Sequence, residues 1–150
     1  MARKIAVSAC LLGTVCRYDG TDNRNEALME VLETEEIIPF CPEDFAFGTP
    51  RPTMDLVQNI TGVRAISNET GEDLSDPVIA YAKDFFKKHP DIDLFIGKDR
   101  SPSCGVCSAK CYDEKKRLLS TGATGLMALE AKKRGIKAVD AEVYLSNIKG

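Results

Sequence analysis

The chain has no apolar run approaching the roughly 18 residues that a bilayer-spanning helix needs. Its basic residues are scattered, and its net charge is −3. It therefore offers neither a membrane span nor the clustered positive surface of a nucleic-acid binder. The N-terminus, Met1-Ala2-Arg3-Lys4, runs straight into an apolar stretch without the pattern of a signal peptide, so the expected address is cytoplasmic. Histidine occurs once, and His89 stands before Pro90 at an expected helix end, where it reads as a C-terminal cap rather than a ligand. Gly122-Ala123-Thr124-Gly125 lacks the spacing of a phosphate-binding loop. Repeats, linkers and low-complexity segments are absent. A length of 150 residues with 43% apolar and 29% charged side chains therefore reads as one globular domain, 1–150.

Cysteine, by contrast, is plentiful, at six residues. In a reducing compartment, cysteines at short recurring spacings bind metal or carry redox chemistry more often than they staple a fold. Three of them follow strand-like runs. Cys10 ends Ile5-Ala6-Val7-Ser8-Ala9, Cys41 ends Ile37-Ile38-Pro39-Phe40, and Cys104 comes shortly after Leu94-Phe95-Ile96-Gly97.

Between these runs the pattern alternates with helix. Strands are expected at residues 4–9, 37–40, 93–97 and 136–141. Asn23 with Glu26 resembles a capping box for a helix carrying Leu28, Val31 and Leu32. A second helix is expected to open at Ser75 with Pro77 in its first turn and a stripe of Val78, Ile79, Ala82, Phe85 and Phe86. A third is expected from Ser120 or Thr121 through Arg134, stopped by Gly135. Residues 57–67 read as a hairpin turning at Thr61-Gly62, and the proline-rich stretch 41–52 reads as an ordered loop. The fold class is α/β, a Rossmann-like domain with a mainly parallel sheet flanked by helices. In such sheets ligands bind at the C-terminal strand ends, which would place a cysteine site at that edge.

Thiolate donors select zinc, copper(I) or iron–sulfur clusters, and the expectation here is an iron–sulfur site with catalytic work. Two arrangements compete. Cys104, Cys107 and Cys111 form a local Cys-x2-Cys-x3-Cys run, whereas Cys10, Cys41 and Cys104 form a dispersed trio that the strand-end geometry favours. Cys16 can join either or remain a free thiol.

The motifs Ser8-Ala9-Cys10-Leu11-Leu12-Gly13, Cys16-Arg17-Tyr18-Asp19-Gly20, Cys41-Pro42-Glu43, Pro50-Arg51-Pro52 and Arg100-Ser101-Pro102-Ser103-Cys104-Gly105 resemble, in order, the signature of a small bacterial family that includes the thiouracil desulfidases. The resemblance implies a [4Fe–4S] cluster held by Cys10, Cys41 and Cys104, with the fourth iron open to a substrate sulfur. Chemistry of that kind needs a base for water, and Glu43 is the nearest carboxylate in sequence. Ser101 and Ser103 would orient the substrate or stabilise charge. Asp19 and Arg17 would set the base or meet a pyrimidine edge. The implied function is non-redox desulfuration of a small thiocarbonyl compound such as thiouracil; the sequence does not specify an oligomeric state.

This chain departs from its relatives at Asp44-Phe45-Ala46-Phe47-Gly48, where Phe45 and Phe47 would reshape the pocket, and at the extra thiols Cys107 and Cys111. Two other readings accord with those thiols. One is a structural zinc module built on Cys104, Cys107, Cys111 and one further cysteine. The other is a thiol redox or sulfur-relay protein using Cys107 and Cys111. Among the blander readings, Ser101 would cap a turn before proline and Glu43 would serve as a helix-start residue.

Overall fold

The run Lys-Ile-Ala-Val-Ser forms β1 (Lys4–Ser8) and is buried from Ile5 onward. A strand buried throughout needs cover on both faces, which a parallel sheet with crossover helices provides. In the computed structural model, which describes residues 3–13, 24–49, 53–60 and 62–149, β1 lies between β2 (Glu36–Phe40) and β5 (Leu94–Gly97), and β8 (Ala138–Asp140) completes the order β2-β1-β5-β8. All three pairings are parallel. Pro39 cannot donate to a ladder, and it stands on the edge strand β2, where that defect is tolerated.

Alternation along the strands sorts the core onto two faces. Ala6, Phe40 and Phe95 pack with Ala82, Phe85 and Phe86 of α3 (Ser75–Lys88) and with Met127, Ala128 and Ala131 of α4 (Leu126–Lys133). Ile5, Val7, Leu94 and Ile96 face the other way, toward Leu28 of α1 (Glu26–Val31) and Ala141 of α5 (Ala141–Lys149). Phe40 and Phe95 stack at 4.7 Å across the first face. The expected parallel α/β sheet flanked by helices is present.

A second sheet was not foreseen. It has the order β4-β3-β6-β7 and combines β3 (Met54–Asn59), β4 (Gly62–Ser67), β6 (Ala109–Tyr112) and β7 (Leu118–Ala123). The hairpin expected at 57–67 is its β3–β4 pair, with Asn59 opposite Gly62; Thr61 lies outside the described residues. Ser120 and Thr121 belong to β7, not to a helix start. Antiparallel pairing with β6 overrides their capping tendency, and α4 opens instead after Gly125. The same helix ends where expected, next to Gly135 at φ +74°.

Smaller corrections have local causes. Ser75 does not cap α3. Its hydroxyl accepts the Ala65 N–H at 2.8 Å, tying the helix to β4, while Asp73 accepts the Ser75 N–H. Asn25, not Asn23, caps α1, accepting from Leu28 N; Asn23 lies outside the described residues. The stretch after Cys41 is not all loop, because Pro42–Phe47 form α2 with proline in the first turn and Glu43 and Asp44 behind it, an order that suits a helix N-terminus. His89 is the C-cap of α3, as expected. No described helix is long and apolar enough to cross a membrane.

Phe95 is fully buried on a central strand and touches both Phe40 and Phe86. Phe95→Ala is expected to cost about 3–5 kcal/mol of stability, as phenylalanine truncations in cores do, read as a lowered urea midpoint with unchanged slope.

Candidate active site

The parallel pairing aligns Ser8, Phe40, Gly97 and Asp140 at the C-terminal edge of the first sheet. Each strand then hands the chain to a segment bearing a candidate residue. After β1, Ala9–Leu12 make a 3₁₀ turn closed by Gly13 at φ +94°. Cys10 is buried there, its Sγ 3.5 Å from Ser8 Oγ. After β2, Cys41 occupies the N-cap of α2 in an extended conformation, and its N–H donates to Tyr81 Oη at 3.2 Å. One turn of α2 carries Glu43, whose Oε2 accepts the Ser103 hydroxyl at 2.9 Å.

The Cys104 segment is the most heavily braced. Ser101 Oγ accepts the N–H groups of Ser103 at 3.2 Å and Cys104 at 3.0 Å. The turn-capping reading of this serine therefore holds in the structure. At the start of α4, Leu126 N donates to Pro102 O, while Met127 N and Ala128 N both donate to Ser103 O. On the far side of the loop, Asp140 at the end of β8 accepts from Val106 N at 2.7 Å, Cys107 N at 2.8 Å and Ser108 Oγ at 2.9 Å. Thr124 Oγ1 and Lys132 Nζ both donate to Val106 O.

Two glycines let this loop sit down. A Cβ at Gly97 would stand 1.7 Å from the Cys104 carbonyl oxygen, and one at Gly125 would stand 2.5 Å from Ser103 C. Neither gap admits a methyl group.

The result gathers sulfur. Cys104 is 4% exposed. Burial pushes its thiol well above the ordinary range, the neighbouring charges of Cys41, Glu43 and Cys10 push it further, and the Ser101 hydroxyl works against them. Cys41, Glu43 and Cys10 thus lie near enough for their charges to reach Cys104. A thiol kept neutral by burial, as Cys104 is, gives up its proton when it binds metal.

Among the described residues, no three histidine, cysteine or acidic side chains close on a single metal ion. A cluster makes a different demand, since each cysteine binds a different iron and the sulfurs stand apart. The dispersed, sulfur-only trio suits that demand.

The local cysteine run does not assemble. Cys104 belongs to the core between the first sheet and α3–α4, and Cys111 to the core of the second sheet. Cys107 is exposed, 3.6 Å from Lys132 Nζ. β6 turns Cys111 inward opposite Leu56, and this removes both the zinc arrangement and a Cys107–Cys111 pair. None of the five described cysteines is in a disulfide. Cys16, Arg17, Asp19 and Arg51 lie outside the described residues. Phe47 packs against the second sheet's core and Phe45 leans on Tyr81 at 5.1 Å. Phe45 follows Glu43 by two residues, about 200° around the helix, so it lies away from the Glu43 side.

Sequence reasoning missed Tyr81, Asp140 and Lys132. Asp140 was within reach, because it ends a strand as the cysteines do. Tyr81 gave no signal, being one more aromatic residue on a core-facing helix.

The fold and its strand ends together define an α/β protein that carries cysteines at its parallel-sheet edge. The chain belongs to the 2-thiouracil desulfurase family, whose model matches residues 5–142. The resemblance drawn from the five motifs is thereby upheld. A solved structure described as the [4Fe-4S]-dependent thiouracil desulfidase TudS superposes with a TM-score of 0.74 at 25% identity, covering 97% of each chain. The uncharacterized protein YbbK of Bacillus subtilis (strain 168) is 28% identical over 143 residues, spanning 85% of this chain and 90% of its own.

Gly97→Ala is expected to cost at least about 1–3 kcal/mol, the usual range for overpacking, because backbone atoms must move. Gly122→Ala, whose Cβ would meet nothing nearer than 3.5 Å, should stay within about 0.5 kcal/mol of the parent. Paired thermal melts check the contrast.

Proposed function

We propose that this protein hydrolyses the carbon–sulfur double bond of a small thiocarbonyl compound of the thiouracil class, using a [4Fe–4S] cluster held by Cys10, Cys41 and Cys104. The observation that carries the reading is the 2.9 Å hydrogen bond from Ser103 to Glu43, which seats the buried Cys104 segment beside the helix that opens at Cys41. Family membership and the likeness to a [4Fe-4S]-dependent thiouracil desulfidase support it. One water is consumed: its oxygen replaces the sulfur on the ring carbon, and the sulfur leaves as hydrogen sulfide with the two water protons. No net electron transfer is involved.

When bound by three cysteines, such a cluster supplies an open, Lewis-acidic iron for the substrate sulfur. The chain's own residues do the rest. Glu43, held at Oε2 by the Ser103 hydroxyl, takes the proton of the attacking water. Ser103 is fully buried and its carbonyl is held by two helix N–H groups, so it presents the base in one orientation without searching for it. Ser101 keeps the Cys104 backbone in register, and from that place its hydroxyl is assigned to orienting the substrate. Asp19 is assigned to setting the base or contacting a pyrimidine edge. The whole chain, 1–150, serves as one cluster-binding domain. Free thiols suit a reducing cytosol, and the net charge of −3 suits a small-molecule substrate rather than nucleic acid or a membrane.

Anaerobically purified protein should contain about four irons and four sulfides per chain and release sulfide from 2-thiouracil. Cys10→Ala, Cys41→Ala and Cys104→Ala should each lose the iron. Zinc without sulfide in the parent, or iron retained in all three variants, would overturn the reading.

Glu43→Gln separates the base from the cluster. Iron content should stay at the parent level while turnover falls about 10²–10⁴-fold, the usual worth of a positioned general base. Parent-like turnover in that variant would remove Glu43 from the role.

A further inference from the structure

Ser8 has no part in the scheme above. It ends β1 at the sheet edge and is the N-cap of the 3₁₀ turn that carries Cys10. Serine before a helical turn ordinarily accepts a hydrogen bond from that turn's backbone, yet this side chain makes no cap bond. Its Oγ lies instead 3.5 Å from Cys10 Sγ. Ser8 is 3% exposed, and a hydroxyl buried so deeply is costly unless it is bonded. Among the described residues, Cys10 is the one hydrogen-bond partner of that hydroxyl. Both ends of the contact are fixed. The ladder sets Ser8 opposite Phe40, and the Gly13 N–H donates to the Cys10 carbonyl at 3.3 Å to close the turn. Between a thiol and a hydroxyl either group can donate. A metal-bound cysteine is a thiolate and only accepts, so the hydroxyl is then the donor.

We propose that Ser8 is a positioning residue for the cysteine-bound centre: its buried hydroxyl donates to the Cys10 thiolate, orienting that sulfur and drawing charge from it. The inference rests on the cysteine trio being the ligand set. Hydrogen bonds to the sulfurs are among the levers that set a cluster's reduction potential, and withdrawing charge from a ligand raises it. Outer partners of metal ligands are commonly worth about 10–100-fold in affinity. Donor and sulfur stand two residues apart at the end of one strand, so the contact is set by the local turn rather than by the segments that carry Cys41 and Cys104.

The test uses the full chain, reconstituted anaerobically with iron and sulfide, as parent, Ser8→Ala and Ile96→Val. Ser8→Ala removes the hydroxyl and little else. It should load iron, release it to a ferrous chelator about tenfold faster or more, and shift the reduction equilibrium about threefold to tenfold toward the oxidised cluster in a dye-mediated titration. Ile96→Val trims a methyl group from the core in which Cys10 packs but keeps the hydroxyl, and should match the parent in both readouts. Parent-like release or a parent-like potential in Ser8→Ala would overturn the inference while leaving the ligand assignment standing. Failure of Ser8→Ala to load any iron would overturn it too, since an outer partner tunes a ligand and does not create one. Equal shifts in both variants would assign the effect to packing, with the same consequence. A parent that takes up no iron and sulfide would overturn the ligand assignment and this inference with it.

Discussion

The carbonyl of Cys104 lies where a side chain on Gly97 would be. That one approach, backbone against the C-terminal end of a central strand, governs how the rest of the site is arranged. It brings the loop after β5 down onto the sheet edge, beside the segments that leave β1 and β2. Seating it there would strand polar backbone groups, and most of those in the loop are answered. The first turn of α4 takes the carbonyls of Pro102 and Ser103, Asp140 takes the N–H groups of Val106 and Cys107, and Ser101 takes those of Ser103 and Cys104. A buried N–H or carbonyl without a partner costs about 1–3 kcal/mol, so the loop has little freedom to leave. Gly125 repeats the Gly97 logic from the helix side.

Rigidity here serves chemistry. Cys104, buried and within reach of the charges of Cys41, Glu43 and Cys10, is poorly placed to ionise. The arrangement stores a preference for a ligand that welcomes thiolates and spreads their charge. Glu43 reaches the same place from α2, a helix whose N-cap is itself one of the cysteines. The proposed base and the proposed ligand are thus two residues apart on one short element. Their separation depends on the first turn of that helix rather than on a loop, which is the usual way to hold a reacting geometry.

Much of this was open to reading from the residues. Near-continuous apolar runs spaced by amphipathic stretches pointed to a parallel sheet, and the strand-end rule then picked out Cys10, Cys41 and Cys104. Where reading failed, pairing across distance had overruled local tendency. Ser120 and Thr121 look like helix caps until β6 supplies a partner strand. Ser75 looks like a cap until β4 offers the Ala65 N–H. Cys107 and Cys111 look like metal-ligand spacing until β6 turns Cys111 into the second sheet's core and leaves Cys107 on the surface. Each of these partners lies beyond the single turn that a capping signal or a short cysteine spacing reads.

The sequence by itself determined the class of fold, the family and the thiol-rich character of the site, because those depend on periodicity and on short motifs that each fit within a few residues. Only the tertiary structure decided that Cys107 faces outward and Cys111 inward, that Ser103 holds Glu43 across 60 positions, and that Tyr81 and Asp140 brace the two cysteine-bearing segments. The physical reason is range. Propensity and motif chemistry act over a turn or a strand, whereas hydrogen bonds and close packing between strand ends depend on how the β1–β2–β5–β8 register brings remote backbone together.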